Sequence, residues 1–309
     1  MWLVEKKTKS VKTEYAEKAE RIKRLALIAM VSDDSLMNRL VLKGGNAMDL
    51  ILGVGARASK DLDFSMSGEL LPDEVTGFRE KVNGLLSQAF SPEGFTVLDV
   101  NFEVVPPRDR ATDPELFFWG GYQIDFKVIE SERAEELQGD IEKLRKEAFR
   151  LGDGGSTKFA IEISKYEYCE PKEAKEIEGY RVYVYSPAMI VAEKLRAICQ
   201  KTDEYAQIVR TKSQGERARD FFDVYVLMTM FNIDLTSAEN LFLIKAVFEA
   251  KKVPLSILAG IQQYKERHRA GFAAVRASVK PGIKVEEDFD FYFNYLVRKV
   301  AELHSLWEI

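Results

Sequence analysis

The order of hydrophobic and polar positions predicts both strands and helices in the first part of the chain, and helices alone beyond it. Alternation through Leu62-Asp63-Phe64 is typical of a half-buried strand. The same reasoning predicts further strands at 41–42, 95–105, 117–129, 159–164 and 181–185, and helices at 5–31, 48–52, 73–90 and 132–149. We therefore predict an α/β (α+β) fold, with a strand-containing part at 1–185 that includes an N-terminal helix and an α-helical C-terminal domain at 186–309.

The composition disfavours several classes of protein. No stretch approaches the roughly 18 apolar residues that cross a membrane, and the first apolar residues precede the lysines, the reverse of a signal peptide. The 309 residues include only two cysteines, with no C-x-x-C, and two histidines. Disulfide scaffolds, zinc fingers and histidine-based triads are therefore poor interpretations, and we expect a cytoplasmic protein without a membrane segment.

Net charge gives a mixed indication about nucleic acid. With 45 Lys+Arg against 50 Asp+Glu the chain carries −5, which excludes a generally basic binder. Locally, however, residues 193–219 contain seven basic and four acidic side chains, and Lys265, Arg267, Arg269, Arg276 and Lys280 follow. The C-terminal half could therefore present a basic face to RNA phosphates. The alternative is an ordinary solvated surface of mixed charge.

Two aspartates on one predicted strand are the first candidates for chemistry. Asp61 and Asp63 are two positions apart, so both side chains leave the same face, roughly 6.6–6.8 Å from each other along the strand. Adjacent like charges repel, and a divalent cation between them would relieve that repulsion. Mg²⁺ prefers one or two carboxylates together with substrate phosphates. The alternative is a solvated strand face that carries two surface aspartates.

A pair of glycines upstream strengthens the metal interpretation. Gly44-Gly45 lies between the end of an apolar strand and a helix-like segment, where backbone N–H groups can face an anion without obstruction by side chains. A phosphate cradle followed by D-x-D is the order expected for a site that binds a metal-chelated triphosphate.

These residues resemble a known family, the AbiEii/AbiGii-type toxin nucleotidyltransferases. The segment Lys43–Ala47 is similar to the family's K-G-G-T-A, with Asn46 in place of Thr, and Arg57–Asp63 matches R-x-S-x-D-x-D. Asparagine can still hydrogen-bond a phosphate. The resemblance continues through Glu162, 192–197 and 217–225, and covers roughly residues 40–230.

The resemblance implies a mixed-sheet nucleotidyltransferase core and Mg²⁺-dependent transfer of a nucleoside monophosphate from an NTP, with Mn²⁺ as an alternative metal. It implies a toxin paired with an antitoxin, with the 3′ end of tRNA as the acceptor for some members. Nucleotide-binding positions would be Lys43, Gly44, Gly45, Asn46, Arg57 and Ser59. Asp61 and Asp63 would hold two metals about 3.5–4 Å apart. The family places a third carboxylate on a neighbouring strand, for which Glu162 is our choice and Asp125 the alternative.

A lysine on a buried helical stripe is the next candidate. In a helix that begins at Ser186-Pro187, Lys194 falls within the apolar stripe of Ile190, Val191, Leu195 and Ile198, whereas Glu193, Arg196 and Gln200 fall on the opposite side. Lysine is rarely buried without a partner. Its ammonium either extends to solvent along the stripe or points toward triphosphate.

Two aspartates on a later helix would accompany this lysine. The segment 219–230 is apolar nearly all round, and Asp220 and Asp223 are three apart and share one side. Buried carboxylates need cations, and Lys194 and the adjacent arginines are the evident candidates. The resemblance makes a lysine and a downstream aspartate in these positions essential to activity, so we predict catalytic roles for Lys194, Asp220 and Asp223. A purely structural clamp is the alternative.

Two other functions remain compatible with the same residues. Nucleotidyl transfer to a protein hydroxyl would use the same site, and a non-catalytic NTP-binding module of a defence complex would keep only the affinity for nucleotide. The complete pair of Asp61 and Asp63 argues against the binding module, which does not need both.

Overall fold

The centre of the molecule is a seven-stranded mixed sheet. The computed structural model describes residues 2–55, 61–106, 118–150, 155–209, 215–280 and 282–307, with the backbone alone for residues 2–13. Its strands are β1 (Val41–Leu42), β2 (Leu62–Ser65), β3 (Phe95–Val105), β4 (Gly121–Glu130), β5 (Phe159–Ser164), β6 (Lys172–Ile177) and β7 (Tyr180–Tyr185). Their order across the sheet is β3-β4-β5-β2-β1-β7-β6.

The short strand β2 lies at the middle of this sheet. It pairs antiparallel with β1 and parallel with β5, and Asp63 lies directly opposite Glu162. On the next strand, β4, Gln123 lies opposite Glu162. Because side chains alternate between the two faces of a strand, these three residues share one face, while Leu62 and Phe64 are buried on the other.

The helices cover the sheet and form the C-terminal part. They are α1 (Trp2–Val31), α2 (Asp34–Arg39), α3 (Gly44–Asn46), α4 (Pro72–Phe90), α5 (Ser131–Glu136), α6 (Ile141–Glu147), α7 (Pro187–Cys199), α8 (Asp203–Ile208), α9 (Ala218–Phe231), α10 (Ala238–Glu249), α11 (Lys265–Arg269), α12 (Phe272–Ser278) and α13 (Phe289–Ala301). A π-helical turn (Ala47–Ile51) continues α3, and 3₁₀ segments lie at Ser91–Glu93, Leu255–Tyr264 and His304–Leu306. Among the described helices none is long and apolar enough to cross a membrane.

Helix α4 shows how spacing determines packing here. Phe78, Val82, Leu86 and Phe90 recur every fourth position and are all buried, so they form one stripe against the sheet and α1. Farther along, α7 contacts both the sheet strand β7 and the helices α9 and α10. One hydrophobic cluster includes Phe64 of the sheet and Phe221 of α9, so the strands and the C-terminal helices pack on a shared core.

The predicted fold class is confirmed, with differences at two elements. The predicted helix 132–149 is two helices, because Gln138 and Gly139 adopt positive φ angles of 50° and 77° and Asp140 caps the second. Strand β6, which the sequence did not predict, is charged and lies at the sheet edge, paired with β7 alone. The boundary at 186 stays a prediction; at that position Ser186 accepts a hydrogen bond from Met189 N–H and caps α7.

Candidate functional site

A cavity of ≈ 850 Å³, here called the cleft, lies between the polar face of the sheet and helices α7 and α9. The sheet contributes Asp63, Gln123 and Glu162, and the helices contribute Lys194 and Asp220. The residues predicted for metal, lysine and aspartate roles therefore come together in one place, although they are far apart in sequence.

Neighbouring carboxylates perturb one another along the wall of the cleft. Burial, together with the charges of Glu162, Asp61 and Glu193, raises the pKa of Asp63 to about 7 against the opposing effect of Lys43. Burial and Asp61 also raise the pKa of Glu162. Ionisation of Asp63 and Glu162 is thus unfavourable here, and a bound cation would favour it.

Asp61 reaches the cleft from just outside the strand. We predicted both aspartates on one strand, but β2 begins at Leu62, and Asp61 immediately precedes it as an exposed residue that still lines the cleft. Within the described residues no group of three or more His, Cys, Asp or Glu side chains forms a metal cage of its own. The oxygen donors Asp61, Asp63 and Glu162 nevertheless fit Mg²⁺, which in proteins takes one or two carboxylates and completes its shell with substrate phosphate and water.

Of the two candidates for third carboxylate, the structure brings Glu162 to the cleft. Asp125 is not among the described residues that line it. Its carboxylate pairs instead with Lys158 at 2.7 Å and accepts a hydrogen bond from Gln123 Nε2 at 3.1 Å. The charge of Asp125 is therefore already paired with that of Lys158.

Gly44 of the glycine pair lies close to the carboxylate of Asp63. Gly44 has a φ of +67°, and a Cβ atom built there would lie 2.8 Å from Asp63 Oδ2. Lys43 N–H donates to Asp63 O at 2.9 Å, which fixes this segment against β2. Both Gly44 and Gly45 line the cleft, so backbone without side chains borders the carboxylates; the nucleotide contact of these glycines stays a prediction.

Asn46 lies behind this backbone and not on the cleft wall. The side chain is fully buried, and its Nδ2 donates a hydrogen bond to the carbonyl oxygen of Asp61. Within the described part of the chain its Oδ1 has no hydrogen-bond partner. Asn46 thus holds the backbone of Asp61 in place. The predicted nucleotide contacts Arg57 and Ser59 lie outside the described residues.

Lys194 forms the predicted pair of contacts with the aspartates of α9. Its Nζ donates to Asp220 Oδ1 at 2.9 Å and to Asp223 Oδ2 at 2.8 Å, and all three side chains are buried. Lys194 and Asp220 line the cleft, together with Arg217, which lies 3.5 Å from Asp220. The contact itself is compatible with both alternatives, a structural clamp and a catalytic group.

A buried ionic group that no sequence pattern indicated is centred on Glu167, and we call it the Glu167 cluster (Lys43, Glu167, Arg196, Lys251). Glu167 lies 3.1 Å from Arg196, 3.5 Å from Lys251 and 3.7 Å from Lys43. Burial opposes ionisation, yet the three cations lower the pKa of Glu167 to about 2. All four residues line the cleft. No spacing could have indicated the cluster, because its members come from four distant segments.

The predicted orientation of α7 was wrong in part. We placed Glu193, Arg196 and Gln200 on the side of the helix away from the core, but Arg196 and Gln200 are buried and all three line the cleft. Helix α7 is covered on nearly every side because the cleft wall occupies the face opposite its apolar stripe.

Many basic side chains of the C-terminal half are already paired with acids. Lys265 contacts Asp290 at 2.8 Å, Arg267 contacts Asp203 at 2.9 Å, and Lys280 contacts Asp49. These pairs match the mixed-charge surface that we had considered as the alternative. Arg217 and Arg219 border the cleft itself.

Comparison with known proteins gives a family match and several structural similarities. The family model described as "Nucleotidyl transferase AbiEii toxin, Type IV TA system" matches residues 26–295. Among solved structures, the nucleotidyltransferase toxin MenT4 from Mycobacterium tuberculosis is 17% identical with a TM-score of 0.46, covering 94% of this chain and 85% of its own. A putative nucleotidyltransferase from H. pylori is 18% identical with a TM-score of 0.44, covering 94% and 93%. No curated protein matches.

Proposed function

Because the chain belongs to the AbiEii nucleotidyl transferase toxin family of type IV toxin–antitoxin systems, we propose that it transfers a nucleoside monophosphate from an NTP to RNA. The acceptor we propose is the 3′ end of tRNA, with Mg²⁺ as the metal and Mn²⁺ able to replace it. The family implies a cognate antitoxin protein as partner, and we place the activity in the cytoplasm.

One observation carries this proposal: Asp63 and Glu162 lie side by side on neighbouring strands, against the bare backbone of Gly44 and within the cleft. Two adjacent carboxylates with raised pKa values beside glycine backbone are suited to a metal-chelated triphosphate. The cleft, at ≈ 850 Å³, has the size of a small-molecule site.

In the proposed reaction, an acceptor hydroxyl gives up its proton to water and its oxygen forms a bond to the α-phosphorus. The bond from the α-phosphorus to the oxygen that bridges to the β-phosphate breaks, and pyrophosphate leaves. Divalent metal bound at the carboxylates would activate the attacking oxygen and stabilise the charge of the leaving group. Asp61 and Asp63 would hold the metal, assisted by Glu162. Lys194, ordered by Asp220 and Asp223, would place positive charge near the triphosphate, and Arg217 and Arg219 at the border would contact acceptor phosphates.

The test is transfer of label from each of four NTPs to total tRNA in the presence of Mg²⁺. We expect one or more NTPs to label the RNA, and Asp63→Asn to lower the rate at least about a hundredfold. Asp73→Asn, on the exposed first turn of α4, is the matched control and should keep the wild-type rate. Absence of transfer to RNA by the wild-type protein would contradict the proposal, and label on a partner protein would redirect it to a protein hydroxyl.

A further inference from the structure

The Glu167 cluster holds a lysine that has a second carboxylate within its neighbourhood. Lys43 Nζ donates to Ser164 Oγ at 3.1 Å and lies 3.7 Å from Glu167 and 3.8 Å from Glu193. Its backbone N–H, meanwhile, bonds to Asp63 O. The charge of Asp63 raises the pKa of Lys43, and that of Lys43 lowers the pKa of Asp63. The ammonium group is thus paired with Glu167 and Glu193 and also lies within the electrostatic influence of Asp63.

The position of the Lys43 ammonium group matters because a shift toward Asp63 would place a positive charge at the proposed metal site. If Glu167 lost its charge, Glu193 would be shared between Lys43 at 3.8 Å and Arg196 at 3.3 Å. Asp63, whose carbonyl oxygen already accepts a hydrogen bond from the Lys43 N–H, would then be a further anion open to the lysine. An ammonium group paired with Asp63 would occupy the space and satisfy the charge that a divalent cation needs. A buried ammonium group needs an anionic partner. Whether Lys43 pairs with Asp63 therefore depends on whether Glu167 retains it.

We propose that Glu167 is a positioning residue that retains Lys43 on its own side of the cleft and thereby keeps Asp63 open to the divalent cation. This inference rests on the proposed function, since it assumes that metal binds at Asp61, Asp63 and Glu162. Glu167 itself touches neither metal nor substrate in this role. Arg196 and Lys251 complete its neutralisation and allow it to remain ionised while buried.

The experiment measures binding of Mn²⁺ alone by titration calorimetry, without nucleotide or RNA. Four proteins are compared: wild type, Glu167→Gln, Lys43→Met and the double variant. We expect Glu167→Gln to weaken Mn²⁺ binding about tenfold, because the released lysine competes for Asp63. Lys43→Met should bind Mn²⁺ within about threefold of wild type, and the double variant should bind as Lys43→Met does, since no ammonium group remains to compete. Glu167→Asp, which keeps the negative charge, should restore the Mn²⁺ affinity of the wild-type protein.

Two results would overturn the inference. One is unchanged Mn²⁺ affinity in Glu167→Gln; the other is a double variant that is as weak as Glu167→Gln, because Glu167 would then act by another route than Lys43. Thermal unfolding by circular dichroism checks that each variant folds. If Glu167→Gln alone does not fold, the comparison of Lys43→Met with the double variant decides. A wild-type protein that binds no Mn²⁺ would instead contradict the metal site of the proposed function.

Discussion

At the scale of single residues, Glu162 and Asp125 are the two candidates for the third carboxylate on one face of the sheet. Both carboxylates project from the same face of the sheet, but Glu162 lies on β5 directly opposite Asp63 of β2, whereas Asp125 lies one strand farther away on β4 and is paired with Lys158. The distinction depends on register and on a partner, which the sequence does not reveal. The choice of Glu162 over Asp125 could therefore be made only once the strands were aligned.

Removal of charge at these two positions should give opposite results. Glu162→Gln removes a carboxylate from the cleft wall, so we expect the rate of nucleotidyl transfer to fall by about a hundredfold. Asp125→Asn should keep the rate within about threefold of wild type, with at most a small loss of stability from the exposed partner Lys158. The measurement is the initial rate at saturating NTP. Equal losses in both variants would contradict the assignment.

Two glycines with the same φ angle test the close approach of the backbone to the carboxylate of Asp63. Gly44 and Gly53 both have a φ of +67°, but a Cβ at Gly44 would lie 2.8 Å from Asp63 Oδ2 while one at Gly53 would meet nothing within 4 Å. Alanine at either position should cost about 1 kcal/mol of unfolding free energy through backbone strain. Only Gly44→Ala should also abolish Mn²⁺ binding, since it displaces Asp63.

Urea unfolding and Mn²⁺ calorimetry measure the two effects separately. The explanation fails if Gly53→Ala loses as much metal affinity as Gly44→Ala, because strain alone would then account for both.

At the scale of elements, the pairing of α7 with α9 through Lys194 leaves open whether the lysine is structural or catalytic. Asp220 and Asp223 both bond its ammonium group, yet only Asp220 is among the described residues that line the cleft. Asp220 and Asp223 therefore make nearly equivalent contacts with Lys194 but differ in their access to the cleft. Variants of the two residues can measure this difference.

We expect Asp220→Asn and Asp223→Asn to lower the free energy of unfolding by similar amounts, about 3 kcal/mol each, because each removes one charge from a buried group. Activity per folded molecule should fall much further in Asp220→Asn, about a hundredfold, than in Asp223→Asn. Urea unfolding and initial rates provide the two measurements. Equal activities per folded molecule would favour the purely structural clamp.

Elements with a strong periodic pattern were predictable, and those defined by long-range pairing were not. Strand β3 and helix α4 follow directly from their apolar spacing, and Asp61, Asp63, Gly44 and Gly45 follow from short spacings. Strand β6, however, is charged and exists because β7 offers it an edge. The buried outer side of α7 likewise depends on the cleft, which forms only when distant segments meet.

At the scale of the whole molecule, His268 links stability to pH. It is buried, its Nδ1 accepts a hydrogen bond from Arg217 N–H at 3.1 Å, and burial lowers its pKa to about 4. The unfolded chain protonates near pH 6.5 and the folded one only near pH 4. Stability from this group is therefore complete above about pH 6.5 and is lost as the pH falls toward 4, by about 3 kcal/mol at most.

Replacement by asparagine should remove this dependence, because its Oδ1 can accept the same hydrogen bond without titrating. Between pH 7.5 and pH 5, urea unfolding of His268→Asn should lose about 2 kcal/mol less than wild type does. His304→Asn changes the other histidine, which is exposed, and should behave as wild type. A wild-type loss that persists in His268→Asn would assign it to other groups.

The reach of Lys251 has a consequence for how the protein is made. Its ammonium group pairs with Glu167 and donates to the carbonyl oxygens of Phe118 and Lys165, so a residue beyond α10 secures loops that are synthesised much earlier. The last strand of the sheet ends at Tyr185, before Arg196 and Lys251 in the sequence, so a chain cut short after β7 lacks two of the three cations that pair with Glu167. Translation that stops early would therefore release a protein whose cleft is incomplete. In a cell that makes such a toxin, the complete cleft forms only after most of the chain has been synthesised.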